Sequence, residues 1–588
     1  MSSSSSSALS PTANKQQQNK HLAPEVIPDH PITKRYEGPL PDLDKRPHLL
    51  PLLDSSSDAP YARAPPQASW ARLKFRNNAQ NRVPFRAPSQ PDDSAAVDWQ
   101  AATYVCPAAY PRSHVNAAFP SSATYPGSPA ELPQPVIAST PESIKAEEKR
   151  QRQQIFDDWH SYIRRNPPTS YFPPTTQKEA DEKAQQIRHT GQAQLWNVIN
   201  RYAPPAVGSR IDASDAGGHR ENDEAVTIVL GHGTGLHKET WEPLLKYLLT
   251  ELYAPKSQAT TERHRIPRVA EIWSFDAINC GESVELNESI LGEVVHQHDH
   301  ARDFHNFVAR YLPSSDLPFP SEPRLLSRRS DEGKRHPRRI IFIAHSVSAS
   351  MLSILCQSHP ELFAGIALID PTILKFWPEM ARERTGITNG GGSQLAALLR
   401  RDVWTTRAEA EANFRQKRAY KHWNPKTLDL WCRFGLRSRN SVTAAEECAK
   451  DGGFTTLACP KKLEAAAYRM MWLSSYPWTA WQQRSLASKP AGAHSSPQPR
   501  TLLIRVENTF LQSDALGEEL EDVARAGGVD EVERWSGGDH LLVQTDPIGL
   551  GVRLARWVQD VMSVVPPGED GSGEGQQLQL RQHREARL

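Results

Sequence analysis

A serine and an aspartate each follow a strand-like apolar run, a histidine comes after a later strand pattern at 529–535, and together they have the chemistry of nucleophilic acyl transfer. Ser346 stands in "IIFIAHSVSAS" (340–350), Asp370 ends "GIALID" (365–370), and His540 lies in "GGDHLL" (537–542). The chain order Ser, Asp, His fits a nucleophile on a tight strand-to-helix turn, with its partners arriving later at the same sheet edge. In this reading the Ser346 Oγ attacks a carbonyl and His540 takes up and returns the proton. An acid then holds the imidazole in one tautomer. Glu507 and Asp514, after the run "RTLLIRV" (500–506), are alternatives for the acid, but neither stands cleanly at a tight turn. Thr509 occupies that position, so Asp370 is favoured. The forming oxyanion would be met by the N–H groups of Val347 and Thr234. Thr234 lies in "GHGTG" (231–235), where Gly233 and Gly235 permit close backbone approach. His232 and His345 flank these donors as supporting residues. The elbow departs from the G-x-S-x-G pattern, because Ala344 and Ser348 replace both glycines.

These residues need a sheet to bring them together. "AVTIVL" (225–230), "VAEIWSFDA" (269–277), "RIIFI" (339–343), "GIALID" and "RTLLIRV" read as buried parallel strands. Helical patterns at 239–253, 298–312, 349–359, 515–528 and 547–562 alternate with them. The predicted class is α/β: a mostly parallel sheet flanked by helices, extending over 222–562. A helical insertion at about 375–490 is placed as a cap. Its tryptophans 404, 423, 431, 472, 478 and 481 suit a core or an acyl pocket, with core the default. Residues 141–221 are expected to hold helical segments and an early strand at 193–202. Residues 1–140 are Ser-, Pro- and Gln-rich and are expected to be disordered, and 563–588 form a flexible tail.

The formal net charge of +1 over 588 residues gives no global field for nucleic acid or membrane. The basic stretch 324–339 is mixed with Ser, Asp and Gly and reads as a solvated loop. Cys106, Cys280, Cys356, Cys432, Cys448 and Cys459 form no C-x-x-C pair and read as reduced thiols of an intracellular protein. The N-terminus lacks the apolar core of a signal peptide, and no stretch of roughly 18 apolar residues suggests a transmembrane helix. Ala586-Arg587-Leu588 has the small-basic-leucine pattern of a peroxisomal address. It predicts a peroxisomal import receptor as partner and a peroxisomal location, the cytoplasm being the alternative.

The segments "GHGTGLHKETWEPL" (231–244), "IWSFDAINCGESVELNESILG" (272–292), "DHARDF" (299–304), "AHSVSA" (344–349) and "HPELFAGIALIDPTI" (359–373) add a resemblance. They resemble fungal α/β hydrolases grouped with the acyl-CoA hydrolase of mycophenolic acid biosynthesis and with hydrolases of host-selective toxin biosynthesis. The resemblance implies an α/β-hydrolase fold, an acid after the strand that follows the nucleophile helix (Asp370), and hydrolysis of an acyl-CoA thioester or related ester. It implies no cofactor and no metal, so His296, His298, His300 and His305 read as a loop and helix start. Asp299 and Arg302 would tie that helix to the core, and Asp276 would organise a structural turn. A different class of function, a weakly active or inactive homologue that binds or scaffolds, is the alternative raised by the altered elbow.

Overall fold

The β-branched, apolar runs become the centre of one twisted sheet. The computed structural model describes residues 47–53, 82–89, 96–119, 141–205, 225–254, 268–314, 319–331, 338–375, 391–439, 454–486, 498–511 and 513–563, with isolated positions among 65–73 and at 317 and 336. The strands in chain order are β1 (Arg82–Ala87), β2 (Val97–Pro107), β3 (Trp196–Ala203), β4 (Ala225–Gly231), β5 (Arg268–Phe275), β6 (Arg324–Leu325), β7 (Arg339–His345), β8 (Gly365–Ile369), β9 (Val403–Trp404), β10 (Leu436–Arg439), β11 (Phe454–Leu457), β12 (Arg500–Asn508) and β13 (Glu531–Asp539). The longer helices are α1 (Pro141–Arg165), α2 (Gln177–Arg188), α3 (Glu242–Leu252), α4 (Gln297–Asn306), α5 (Val347–Ser358), α6 (Gly391–Leu399), α7 (Arg407–Gln416), α8 (Pro425–Phe434), α9 (Lys461–Arg469), α10 (Tyr476–Leu486), α11 (Asp514–Ala526) and α12 (Pro547–Ser563).

The main sheet runs β1-β2-β3-β5-β4-β7-β8-β12-β13, with β6 beside β2. From β5 to β13 every pairing is parallel. β3 joins β5 antiparallel, β2 joins β3 antiparallel, and β1 joins β2 antiparallel. Period-two alternation divides the strand side chains between two cores. Val229, Phe342, Ala344 and Leu368 face Phe304, Leu352 and Trp478 on the side of α4, α5 and α10. Ile228, Ile341, Ile343 and Ile369 face Leu245, Leu248, Leu554 and Trp557 on the side of α3 and α12. Both faces are therefore covered, as a parallel sheet requires.

Two parts of the architecture differ from the sequence reading. Most of residues 1–140 lie outside the described residues, but 82–87 and 97–107 lie within that region and build β1 and β2. The insertion between β8 and β12 is not wholly helical: β9, β10 and β11 form a small antiparallel sheet beside its helices. Trp404, Trp423 and Trp431 pack with Phe414 in the insertion's own core, whereas Trp472, Trp478 and Trp481 join the main core. Helix α1 packs on the insertion through Phe156, Trp159 and Tyr162, against Leu398, Ala465 and Ala466. Among the described residues no helix is long and apolar enough to cross a membrane.

Candidate active site

β7 ends at His345 and α5 begins at Val347, which leaves Ser346 alone on the turn. Its backbone is left-handed, φ 59° and ψ −124°. Such a conformation costs a non-glycine residue roughly 1–3 kcal/mol and persists only where its surroundings enforce it. Here β8 does so. The Ser346 N–H donates to the Ile369 carbonyl at 3.0 Å, and the Ser346 carbonyl accepts from the N–H of Thr372 at 3.3 Å.

The hydroxyl meets the expected partners. Ser346 Oγ lies 3.0 Å from His540 Nε2, and His540 Nδ1 lies 2.6 Å from Asp370 Oδ2. The carboxylate can only accept, so Nδ1 carries the proton and Nε2 is left as the acceptor of the Ser346 hydroxyl. Asp370 also sits at positive φ, 35°, just beyond β8. Its carboxylate accepts from the Val506 N–H at 3.2 Å and from the Thr509 hydroxyl at 2.9 Å. Thr509 therefore holds Asp370 from the position where an acid was sought. Glu507 instead accepts from the Gly537 N–H at 2.9 Å and the Ser536 hydroxyl at 3.2 Å, and Asp514 opens α11. His345 donates from Nε2 to the His540 carbonyl at 2.7 Å, which ties the Ser346 turn to the His540 loop. Burial, with the His540 ring adjacent, lowers the His345 pKa to about 3, so it acts as a neutral strut.

The opposite side of Ser346 is formed by the loop after β4. A Cβ on Gly233 would lie 3.1 Å from Ser346 Cβ and 3.0 Å from His345 Nδ1, so a side chain there would push these neighbours back by a few tenths of an ångström. Gly235 has φ +76°, and a Cβ there would meet the Glu464 carboxylate of α9 at 3.0 Å. His232 fixes the loop from within. Its Nδ1 donates to the Gly233 carbonyl at 2.8 Å, and its Nε2 accepts from the Ala277 N–H at 3.1 Å. Burial lowers the His232 pKa to about 4, which keeps this one neutral tautomer. The Gly233 carbonyl also accepts from the Leu236 N–H at 3.1 Å. Because the peptide unit is planar and trans, pinning that carbonyl directs the Thr234 N–H the opposite way. Val347 is the first residue of α5, whose opening N–H groups have no partner within the helix. Thr234 and Val347 both border one cavity, with Gly233, just after β4, in the same wall.

The altered elbow is accommodated by its neighbour. Ala344 pairs with Gly231 across β7 and β4. A Cβ on Gly231 would come within 2.9 Å of Ser348 Cβ and of Phe304 Cζ. The space a glycine at 348 would leave is thus supplied by Gly231. The Ser348 hydroxyl donates to the His232 carbonyl at 2.5 Å and accepts from His300 Nε2 at 2.8 Å. Sequence reasoning missed this His300–Ser348–His232 chain and the role of Thr509, because both depend on contacts between distant segments.

Two buried ionic groups brace the site. Lys238 Nζ lies 2.8 Å from Asp276, 2.8 Å from Glu239 and 2.7 Å from Glu282. Asp276 also accepts from the N–H groups of Lys238 and Glu282, each at 2.8 Å, as expected of a turn organiser. Burial, with Glu239 close by, pushes its carboxyl up to about 6 despite Lys238. Asp299 accepts from Arg302 at 2.7 Å and from the Ser113 N–H at 2.8 Å. Arg302 in turn donates to the carbonyls of Leu50 and Pro111. Burial opposes the Asp299 charge, yet Arg112 and Arg302 hold it ionised well below the usual carboxylate range. Among the neighbouring histidines, His296 donates to the Tyr171 carbonyl at 3.1 Å, and His305 stacks on His359. Ala586-Arg587-Leu588 lies outside the described residues.

The chain matches the alpha/beta hydrolase family over residues 228–550, more than half of its length. It is similar to the type I acyl-CoA thioesterase mpaH of Penicillium roqueforti (strain FM164), 28% identical over 255 residues, which covers 42% of this chain and 50% of that protein. It is also similar to the abhydrolase domain-containing protein ACTT2 of Alternaria alternata, 31% identical over 108 residues, covering 18% of this chain and 37% of that protein. Among solved structures, the peroxisomal alpha-beta-hydrolase Lpx1 of Saccharomyces cerevisiae aligns with a TM-score of 0.43 at 14% identity, over 67% of this chain and 90% of that one. The chain spans about half the length, or less, of these curated relatives. With the family matched from β4 to the start of α12, across the segments that carry Ser346, Asp370 and His540, the chain belongs to the alpha/beta hydrolase family.

Proposed function

We propose that this protein is a serine hydrolase that cleaves an acyl-CoA thioester or a carboxylic ester. The observation that carries the reading is the continuous chain Ser346 Oγ–His540 Nε2 and His540 Nδ1–Asp370 Oδ2, at 3.0 and 2.6 Å. Ser346 Oγ attacks the acyl carbonyl while His540 takes its proton, and Asp370 stabilises the imidazolium. The negative oxygen is met by the N–H groups of Thr234 and Val347, at the N-terminus of α5. His540 then protonates the departing sulfur or oxygen, and a water deprotonated by the same histidine releases the acyl group. The acyl-CoA preference rests on the similarity to thioesterases, and the ester alternative on the chemistry common to both.

Replacing Ser346 by Ala is expected to lower kcat by at least about 10⁴-fold on acyl-CoA and p-nitrophenyl esters, with the far-UV circular dichroism unchanged. Turnover that survives in S346A overturns the assignment. A fluorophosphonate probe is expected to label the native protein and not this variant. A binding protein without turnover would stay unlabelled. Ala586-Arg587-Leu588 supports import into peroxisomes. Placing a fluorescent protein after Leu588 is expected to move the punctate signal of an N-terminal fusion to the cytosol.

A further inference from the structure

The sheet order separates the two halves of a substrate. Ser346 follows β7, in the middle of the sheet, and His540 arrives after β13, at the far edge on the β8 side. The oxyanion loop and the loop after β5 lie on the other side, beyond β4. His540 must protonate the leaving atom, so the leaving group lies toward β8, β12 and β13. The group that stays on the serine is directed toward β4 and β5.

On that side lies the cavity that begins at Gly233, Thr234 and Val347. Neither Ser346 nor His540 is part of its wall. Its apolar walls come from Ala277, Ile278 and Cys280 after β5, from Val295 ahead of α4, from Val347, and from Ala467 on α9. Cys280 is held in place by Cys459, Sγ to Sγ 3.3 Å, and α9 is pressed inward by α1. The volume is about 40 Å³. Since one water needs at least roughly 10–15 Å³ by the same measure, a chain of about three or four atoms fits.

Building on the serine-hydrolase reading above, we propose that this cavity is the acyl subsite, that it selects short unbranched acyl groups, and that Ala467 and Val295 set their length. Asn279, His296, Gln297 and His300 also line it, and the charged side chains in its wall, Arg112 and Asp303, are paired with each other at 2.5 Å, with Asp299 a further 3.4 Å partner of Arg112. They offer no unpaired charge to a second carboxylate, so the selected acyl group is a monoacid.

The test is kcat/KM of the full chain on p-nitrophenyl esters from acetate to decanoate, where only the acyl part varies. The native protein is expected to peak at or below butanoate and to fall at least about tenfold by octanoate, since one misplaced methylene costs about 10–200-fold. Ala467→Leu is expected to lower the butanoate-to-acetate ratio about tenfold, and Val295→Ala to raise the hexanoate-to-acetate ratio by a similar factor. A native optimum at octanoate or longer overturns the proposal even if neither variant folds. So does a chain-length profile that both folded variants leave unchanged. Fluorophosphonate labelling of Ser346 accompanies each assay. Labelling with the wrong profile sinks only the subsite, whereas loss of both labelling and turnover sinks the hydrolase reading and this one with it.

Discussion

Asp370 and Thr509 divide a task often given to one residue. The aspartate bears the charge from the end of β8, and the threonine, beyond β12, donates to the same Oδ2 that receives His540 Nδ1–H. Asp370→Asn is expected to reduce kcat by about 10³–10⁴-fold, because an amide can donate and thereby favours the wrong imidazole tautomer. Thr509→Val removes only one hydrogen bond to a charged group, worth about 1.5–3 kcal/mol. It is expected to lower kcat about tenfold, which steady-state assays would record. Ser346 and Asp370 were legible as candidates because each directly follows a run whose apolar, β-branched character marks a strand, and His540 because it comes soon after the charged strand pattern at 529–535. Thr509 was legible as a position and not as a partner, since nothing local relates it to Asp370, 139 residues earlier.

At the level of elements, the elbow and its neighbouring strand are one unit. Gly231→Ala is expected to abolish activity, because the new Cβ meets Ser348 Cβ at 2.9 Å. Adding Ser348→Gly is expected to recover part of it, the Phe304 contact remaining. A double-mutant cycle on kcat/KM and thermal midpoint measures the coupling. Helix α4 and the segment before it show a second collective effect. Burial lowers His296 to about 4 and His300 and His305 to about 3, and His114, His232 and His345 behave alike. Their folded pKa values lie below the unfolded value near 6.5. Between about pH 6.5 and 4 the unfolded chain therefore binds more protons. Their contribution is fully present above pH 6.5 and is lost as pH falls. Asp276, raised to about 6, acts in the opposite sense but is outnumbered. The urea midpoint is expected to fall steadily from pH 7 to 5. The H-x-H-x-H spacing could not reveal this, because burial is set by α5 and by the distant residues His114 and Tyr171.

Across the whole molecule, the parallel half of the sheet was readable from sequence and the antiparallel half largely was not. β4, β7 and β8 are buried on both faces and so are apolar but for Thr227 and for Arg339 and His345 at the two ends of β7. β1 carries Arg82, Pro84 and Arg86, and its place depends on pairing with β2. β9 is two residues long, too short for any periodicity to register. The chain that precedes the family match contributes β1, β2 and β3, which continue the sheet beyond β5, and it supplies Arg201 to the buried Glu271 at 2.7 Å. A fragment started at residue 222 would keep every residue of the proposed triad, yet its β5 would present a bare row of amide and carbonyl groups beside the buried Trp273. Such a fragment is expected to elute from size exclusion as aggregates, while the full chain elutes as a discrete species. The chain ahead of the family match is thus expected to act through β3, keeping the half that carries the proposed triad from sticking to copies of itself.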